Sequence, residues 1–334
     1  MAAWRSDSIS RAWLRTTWEQ DPPDAREAFL NVLRKTVEPA DEEFLEIALD
    51  DKRKAVRVAA VDCLARLPDC ALVRRHLARV DPLLDLPAES GGIFSKLRKR
   101  KLQVTLPEAP DKAAQRDGIE PKVPASRKLG ERAFWLAQLV ALVPPAHWTR
   151  RFDCDPAAFL EAVAATDFAH GLLEALTEAT GRHPDPEWTV AIARALLGSG
   201  GDMNFVLTQI VTLASAIPAA QRVAFFDAMV REPKARSDGH AWALLSTVDA
   251  RWDVELTRQA LVMLAQVASN EKASWSQPRN ALDTWARNCD RHAGAAGIAP
   301  LLEKYPEGHS WRNALEQFND IVAFRAAMQE ELTR

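Results

Sequence analysis

The chain has 334 residues, 47% of them hydrophobic, and its 43 Lys and Arg nearly balance 46 Asp and Glu for a formal net charge of −3. That length allows one long helical array or two domains, with enough apolar residues for a sizeable core. The charge balance argues against a surface built throughout for nucleic acid, and the lack of an apolar signal core at Met1–Asp7 or of any run near eighteen apolar residues argues for a cytoplasmic chain.

Ser10 to Trp18 reads as a short helix with Trp13, Leu14 and Trp18 on one side. Asp21-Pro22-Pro23-Asp24 breaks it, and Asp24 is expected to cap a helix running to Val37, with Phe29, Leu33 and Val37 at four-residue steps. Glu38-Pro39-Ala40-Asp41 makes a corner before the face Phe44, Leu45, Ala48 and Leu49. Asp50 or Asp51 is expected to cap the next helix, whose Val56, Ala60, Cys63, Leu64 and Leu67 share one face until Pro68 stops it. Ala60 is small where a neighbouring helix must come close.

Residues 81–130 break this rhythm. They hold Asp81-Pro82, Gly91-Gly92, the run Lys96-Leu97-Arg98-Lys99-Arg100-Lys101, and four further prolines from Pro107 to Pro124. Leu102, Val104 and Leu106 alternate with Gln103 and Thr105, which predicts a short strand with one buried face. Helices resume at Glu131. Asp155-Pro156 and Asp185-Pro186 recur as helix starts, and Val143-Pro144 and Ile217-Pro218 as stops. Asp167 is expected to open a helix ended by Gly181, and Met203 to Ile217 to form one buried on most sides. Further helices are expected at 219–230, 241–248, 254–268, 278–289 and 311–332. The sequence therefore reads as N-terminal helical repeats over 8–80, an irregular basic insert over 81–130 and a C-terminal helical array over 131–334.

The stretch 48–68, with its Asp, Val-Arg, Ala and paired Leu pattern, resembles the second helix of a HEAT-type repeat. The fold class this implies is all-α, a HEAT/ARM-like solenoid with a long irregular insert and a short β element; an irregular helical bundle is the alternative. Three longer passages resemble an uncharacterised bacterial family of unknown function. They are Arg11-Ala12-Trp13-Leu14 through Phe44-Leu45, Val104-Thr105-Leu106-Pro107 through Gly130-Glu131, and Trp135-Leu136 through Asp185-Pro186-Glu187-Trp188. Members of that family are often encoded beside MoxR-type AAA+ ATPases, von Willebrand factor A (VWA) proteins and SWIM zinc-finger proteins. The resemblance implies an adaptor for an ATPase–VWA system, with no catalytic residue to carry over. It also implies that the chain begins inside the family's usual length, with an N-terminal part absent.

Chemistry-bearing motifs are scarce. There is no H-E-x-x-H and no C-x-x-C, so no metal site or cofactor is expected and Cys63, Cys70, Cys154 and Cys289 read as free thiols. Asp153-Cys154-Asp155 beside His147 reads as a polar turn and helix cap rather than a ligand set, and His170 as a core-edge residue. Gly198-Ser199-Gly200-Gly201-Asp202 lacks the Lys and Ser/Thr of a phosphate loop. Most of the eleven Trp are expected in the core. The reading is a non-catalytic protein-binding scaffold. Its expected contact residues are Lys96, Arg98, Lys99, Arg100 and Lys101 in the basic run, with Asp111, Arg116 and Asp117 in the family-like passage. The alternative is a HEAT-like fold similar to alkylpurine DNA glycosylases, gripping nucleic-acid phosphates with the basic insert.

Overall fold

The computed structural model describes residues 16–87, 100–125, 127, 129–200, 202–232, 244–248, 250–269, 276–309 and 311–332. The fold is all-α apart from one two-residue ladder among the described residues. The chain divides into two compact units, residues 1–188 and 189–334.

Unit 1 begins with α1 (Pro23–Leu33), α2 (Glu42–Ala48), α3 (Lys54–Leu64) and α4 (Ala71–Val80). Helices α1 and α2 both pack against α3. The seam is apolar: Leu30, Leu45, Ala48, Val56, Ala60, Cys63 and Leu64 are fully buried, as the face of α3 predicts. Two expected starts differ in detail. The N-cap of α1 is Pro22, with Asp24 inside the first turn, and α1 ends at Leu33 rather than Val37. The N-cap of α3 is Arg53, without a side-chain bond. Asp50 instead pairs with Arg116, and Asp51 pairs with Arg26 while accepting from the Arg53 N–H. The Glu38–Asp41 corner closes with the Glu38 N–H donating to Asp41 Oδ2 at 2.9 Å.

The strand β1 (Leu84–Asp85) pairs antiparallel with β2 (Gln103–Val104), Leu84 opposite Val104. Leu84, Leu86 and Leu102 are buried while Gln103 and Thr105 are exposed, the alternation expected of a one-faced strand. Next come α5 (Lys112–Arg116), α6 (Glu131–Ala141), α7 (Ala146–Phe152), α8 (Pro156–Ala164) and α9 (Ala169–Arg182). Asp155 caps α8 by accepting from the Ala158 N–H at 2.8 Å. Gly181 lies inside the last turn of α9, which ends at Arg182. Trp148, Phe152 and Phe159 stack with ring centroids about 6 Å apart, and Trp188 meets Phe159 edge-on.

Helix α10 (Pro186–Gly198) carries the division between the units. Unit 2 continues with α11 (Met203–Ala216), α12 (Ala219–Arg231), α13 (Val254–Ala268), α14 (Ser276–Asn288), α15 (Arg291–Lys304) and α16 (Arg312–Leu332). Helix α11 buries one face only: Val206, Ile210, Leu213 and Ala214 are inside, while Phe205, Thr208, Thr212 and Ser215 are exposed. In the last part of the unit, α13 packs on α15, and both α14 and α15 pack on α16. All seven described Trp are buried. No helix among the described residues is long and apolar enough to cross a membrane.

Candidate functional site

Unit 1 carries an open groove of about 870 Å³ between α1 and α3 on one side and α6 and α9 on the other, with Gly118, Pro124 and Arg127 of the insert at its edge. Its floor is an ion-pair cluster contributed by three helices. Asp62 of α3 accepts from Arg182 Nε of α9 at 2.9 Å and from Arg34 Nη1 beside α1 at 3.1 Å, with Arg66 Nη2 at 3.7 Å. Arg182 also donates to Glu178 at 2.6 Å and to the Ala141 carbonyl at 2.8 Å. Burial alone would raise the Asp62 carboxyl, but the charge and hydrogen bond of Arg182, with Arg66 and Arg34, outweigh it and hold Asp62 below the usual carboxylate range. Asp62 is therefore held ionised, and the cluster sets three guanidinium groups, of Arg34, Arg66 and Arg182, against the two carboxyl groups of Asp62 and Glu178. Val58, one helical turn before Asp62 on α3, presents an exposed apolar side chain to the groove, 52% accessible, beside the exposed Ala55 and Lys54.

A second cluster fastens the insert to α2 and α4. Arg116 grips Asp50 through Nε and Nη2, both at 2.7 Å, and Nη2 also donates to the Glu46 carbonyl at 3.0 Å. Asp117 is buried and accepts from Arg75 at 2.7 and 2.9 Å, with Arg79 at 2.7 Å. Its own carbonyl meets His76 Nε2 at 3.0 Å. Gly118 follows at φ +97, and a Cβ there would lie 2.8 Å from Val61 Cγ1. Only glycine lets the Asp117-Gly118 turn lie this close to α3. Beyond it, the Glu120 N–H donates to Gln138 Oε1 at 2.8 Å and Trp135 Nε1 donates to the Pro121 carbonyl at 3.0 Å.

The expected contact residues therefore sit in different settings. Asp111 caps α5 by accepting from the Ala114 N–H at 2.7 Å, and Arg116 and Asp117 belong to the cluster above. Arg100 ties three carbonyls, of Leu86, Pro87 and Phe152. Lys101 is exposed, while Lys96, Arg98 and Lys99 lie outside the described residues. The structure brings Arg116 and Asp117 together and leaves Arg100 and Lys101 elsewhere. The groove-floor residues Asp62, Glu178 and Arg182 were not singled out from sequence. The spacings Asp62/Arg66 and Glu178/Arg182 are a faint signal, since each pair shares a helix face.

His147 pairs with Asp81 at 2.7 Å instead of joining Asp155, and no group of three metal-ligating side chains occurs among the described residues. His170 is exposed rather than at the core edge, its side chain 77% accessible and 3.4 Å from Glu174. Burial raises the thiol of Cys63 to about 12, and those of Cys70, Cys154 and Cys289 are raised for the same reason.

Fold and groove together define an all-α protein whose first unit offers a charge-floored concave surface. The chain belongs to a family of unknown function (DUF5691), which matches residues 5–332. No curated protein and no solved structure matches it.

Proposed function

We propose that the chain is a non-catalytic protein-binding scaffold and that the groove of unit 1 receives a segment of its partner. The observation that carries this reading is the groove itself: about 870 Å³, with Asp62 and Arg182 paired in its lining and the apolar Val58 exposed beside them. A floor of hydrogen-bonded ion pairs gives shape and fixed hydrogen-bonding geometry, and an exposed apolar residue beside it supplies an anchor point. The partner in this reading is a MoxR-type AAA+ ATPase or a VWA protein, the class implied by the family resemblance. The helices in this reading form a HEAT-like array, supported by α1 and α2 both packing on α3. Lys96, Arg98, Lys99 and Lys101 supply a basic contact, while Arg100, Asp111, Arg116 and Asp117 hold the frame.

The test is calorimetric titration of the full chain with the purified ATPase and the purified VWA protein from the same genome, after nuclease treatment and at two salt concentrations. One of them is expected to bind at both, with Val58→Glu weakening it by about tenfold or more. Failure of both proteins to bind, together with retention of nucleic acid that higher salt strips away, would overturn the scaffold in favour of phosphate gripping.

A further inference from the structure

The groove of unit 1 carries an uneven charge along its α1 wall. At the C-terminal end of α1, Arg34, Arg66 and Arg182 face only Asp62 and Glu178, so one guanidinium group is in excess. Arg182 is fully spent: its Nε, Nη1 and Nη2 donate to Asp62, the Ala141 carbonyl and Glu178. Arg34 is not. It lines the groove, its side chain is partly exposed, and Nη1 alone is engaged, on Asp62 Oδ2 at 3.1 Å. Its Nε and Nη2 make no hydrogen bond among the described residues. These are the two nitrogens with which Arg116, in the same unit, grips the Asp50 carboxylate.

Two turns earlier on α1, Glu27 also lines the groove. The spacing of Glu27, Asn31 and Arg34 puts all three on one helix face, about 10 Å from first to last. Glu27 has no ion pair among the described residues. The other cations of the lining, Lys54 and Arg127, are each matched to one carboxylate, Glu120 at 2.7 Å and Glu174 at 3.3 Å, and leave no excess. Across the groove, the exposed Val58 stands one turn, about 6 Å, before the Asp62 that Arg34 touches. The lining therefore offers an unspent guanidinium, an apolar side chain one turn from it, and an unspent carboxylate two turns away on α1.

On the scaffold reading above, we propose that the groove recognises an acidic–apolar segment of its partner. A carboxylate of that segment is held side-on by Arg34 Nε and Nη2, an apolar side chain about 6 Å along rests on Val58, and a cation faces Glu27. The pattern also sets the direction in which the segment lies, with its acid toward the C-terminal end of α1.

The experiment is the calorimetric titration of the full chain with the purified ATPase and VWA protein, repeated with Arg34→Gln, Arg34→Lys, Glu27→Gln and Arg66→Gln at two salt concentrations. Arg34→Gln is expected to weaken binding by about tenfold or more and to leave the remainder less sensitive to salt. Arg34→Lys should recover only part of the affinity, because lysine keeps the charge and loses the two-pronged grip. Glu27→Gln should cost about threefold. Arg66→Gln also withdraws a cation from Asp62 but lies outside the lining, so it should bind like wild type. An Arg34→Gln chain that binds as tightly as wild type, while Val58→Glu is weakened, overturns the proposal and keeps the groove. One that binds more tightly overturns it in favour of a basic segment. Arg66→Gln losing as much as Arg34→Gln overturns it as well, since the loss then belongs to the integrity of the floor. Wild type binding neither protein overturns the scaffold reading, and this one with it, before any variant is compared. Urea unfolding of each variant separates loss of contact from loss of fold.

Discussion

In unit 1 the segment from Asp111 to Glu120 has few apolar residues to bury, and it is fastened by charge: Arg116 on Asp50, and Arg75 and Arg79 on Asp117. In unit 2 the helices α13, α15 and α16 meet through apolar and small residues, with Gly297 of α15 against Leu261 of α13 and Gly294 of α15 near Val322 of α16. The ion pairs of unit 2 include Asp227–Arg231 and Arg312–Glu316, which lie along single helix surfaces. The contrast follows from sequence composition. A polar segment flanked by Pro110 and Pro121 is ordered by a few directional contacts, each costly to lose. Helix pairs are held by distributed contacts that tolerate the loss of any one charge. The two units should accordingly respond differently to charge removal, acid and salt.

The largest effect is expected at Asp117. Its carboxylate is buried and answers two guanidinium groups, so Asp117→Ala removes a pair whose partners stay in place. Breaking a fully buried pair from one side costs about 3–5 kcal/mol; Arg75 and Arg79 are partly exposed and Arg75 keeps Glu46, so the loss here is expected at the lower end of that range. Urea unfolding followed by circular dichroism should show that loss, and limited proteolysis should show earlier cutting between residues 100 and 125. An unchanged urea midpoint and an unchanged cutting pattern would remove the basis for contrasting the units.

Acid sharpens the same comparison. His76 and His183 of unit 1 are both pushed down to about 4, mainly because burial disfavours the imidazolium, with nearby arginines adding to it. A histidine whose folded value lies below its unfolded value of 6.5 contributes stability that is complete above pH 6.5 and lost as the pH falls toward 4. The ceiling is about 3 kcal/mol for each histidine. Asp62 and Asp117, also held low, keep their contributions over this range and lose them only as the pH falls through their depressed folded values. Unit 2 has no buried histidine among its described residues. Hydrogen exchange at pH 7 and pH 4.5 (~2.5 units apart in the relevant window's upper part) should therefore show protection lost in α4 and at the end of α9, with α13 and α15 retained. His76→Gln should flatten the pH dependence of stability over this range.

A smaller effect is expected where the backbone, not charge, sets the contact. Gly118→Ala puts a methyl 2.8 Å from Val61 at φ +97, which combines backbone strain with overpacking and should cost about 1–3 kcal/mol. Thermal unfolding of that variant beside Gly118→Ala/Val61→Ala separates the two parts, since the double variant relieves the clash and keeps the strain.

Sequence pattern made some of this legible and hid the rest for physical reasons. The apolar face of α3, the Asp155-Pro156 start and the alternation at Leu102–Leu106 all rest on local periodicity or capping, and all appear as expected. Helix α15 is not among the helices expected from the sequence; Gly294, Gly297 and Pro300 lower its local helix signal, yet the two glycines are where neighbouring side chains come close. The groove floor was equally hidden. Asp62 and Arg182 are 120 residues apart, and nothing local to either announces the other. Asp111, Arg116 and Asp117 are expected from the sequence as partner contacts in the family-like passage, and their intramolecular partners Asp50, Arg75, Arg79 and the Ala114 N–H appear only with the structure.

The smallest effect is expected at Glu316. It accepts from Arg312 Nε at 2.6 Å one turn along α16, but Arg312 is also anchored on the carbonyls of Leu302 and Tyr305. Glu316→Ala therefore leaves the arginine in place and removes only a partly exposed pair, worth about 0.3–0.5 kcal/mol and screened by salt. Repeating the denaturation in high salt should erase that difference while the Asp117→Ala deficit persists, because screening reaches exposed pairs far more than a buried carboxylate. If the two variants lost stability alike, and salt abolished both, the ion pairs of unit 1 would be surface decoration too. The insert would then have to be held by Leu84, Leu86, Leu102, Ala114 and Ile119, the apolar residues buried in its described part.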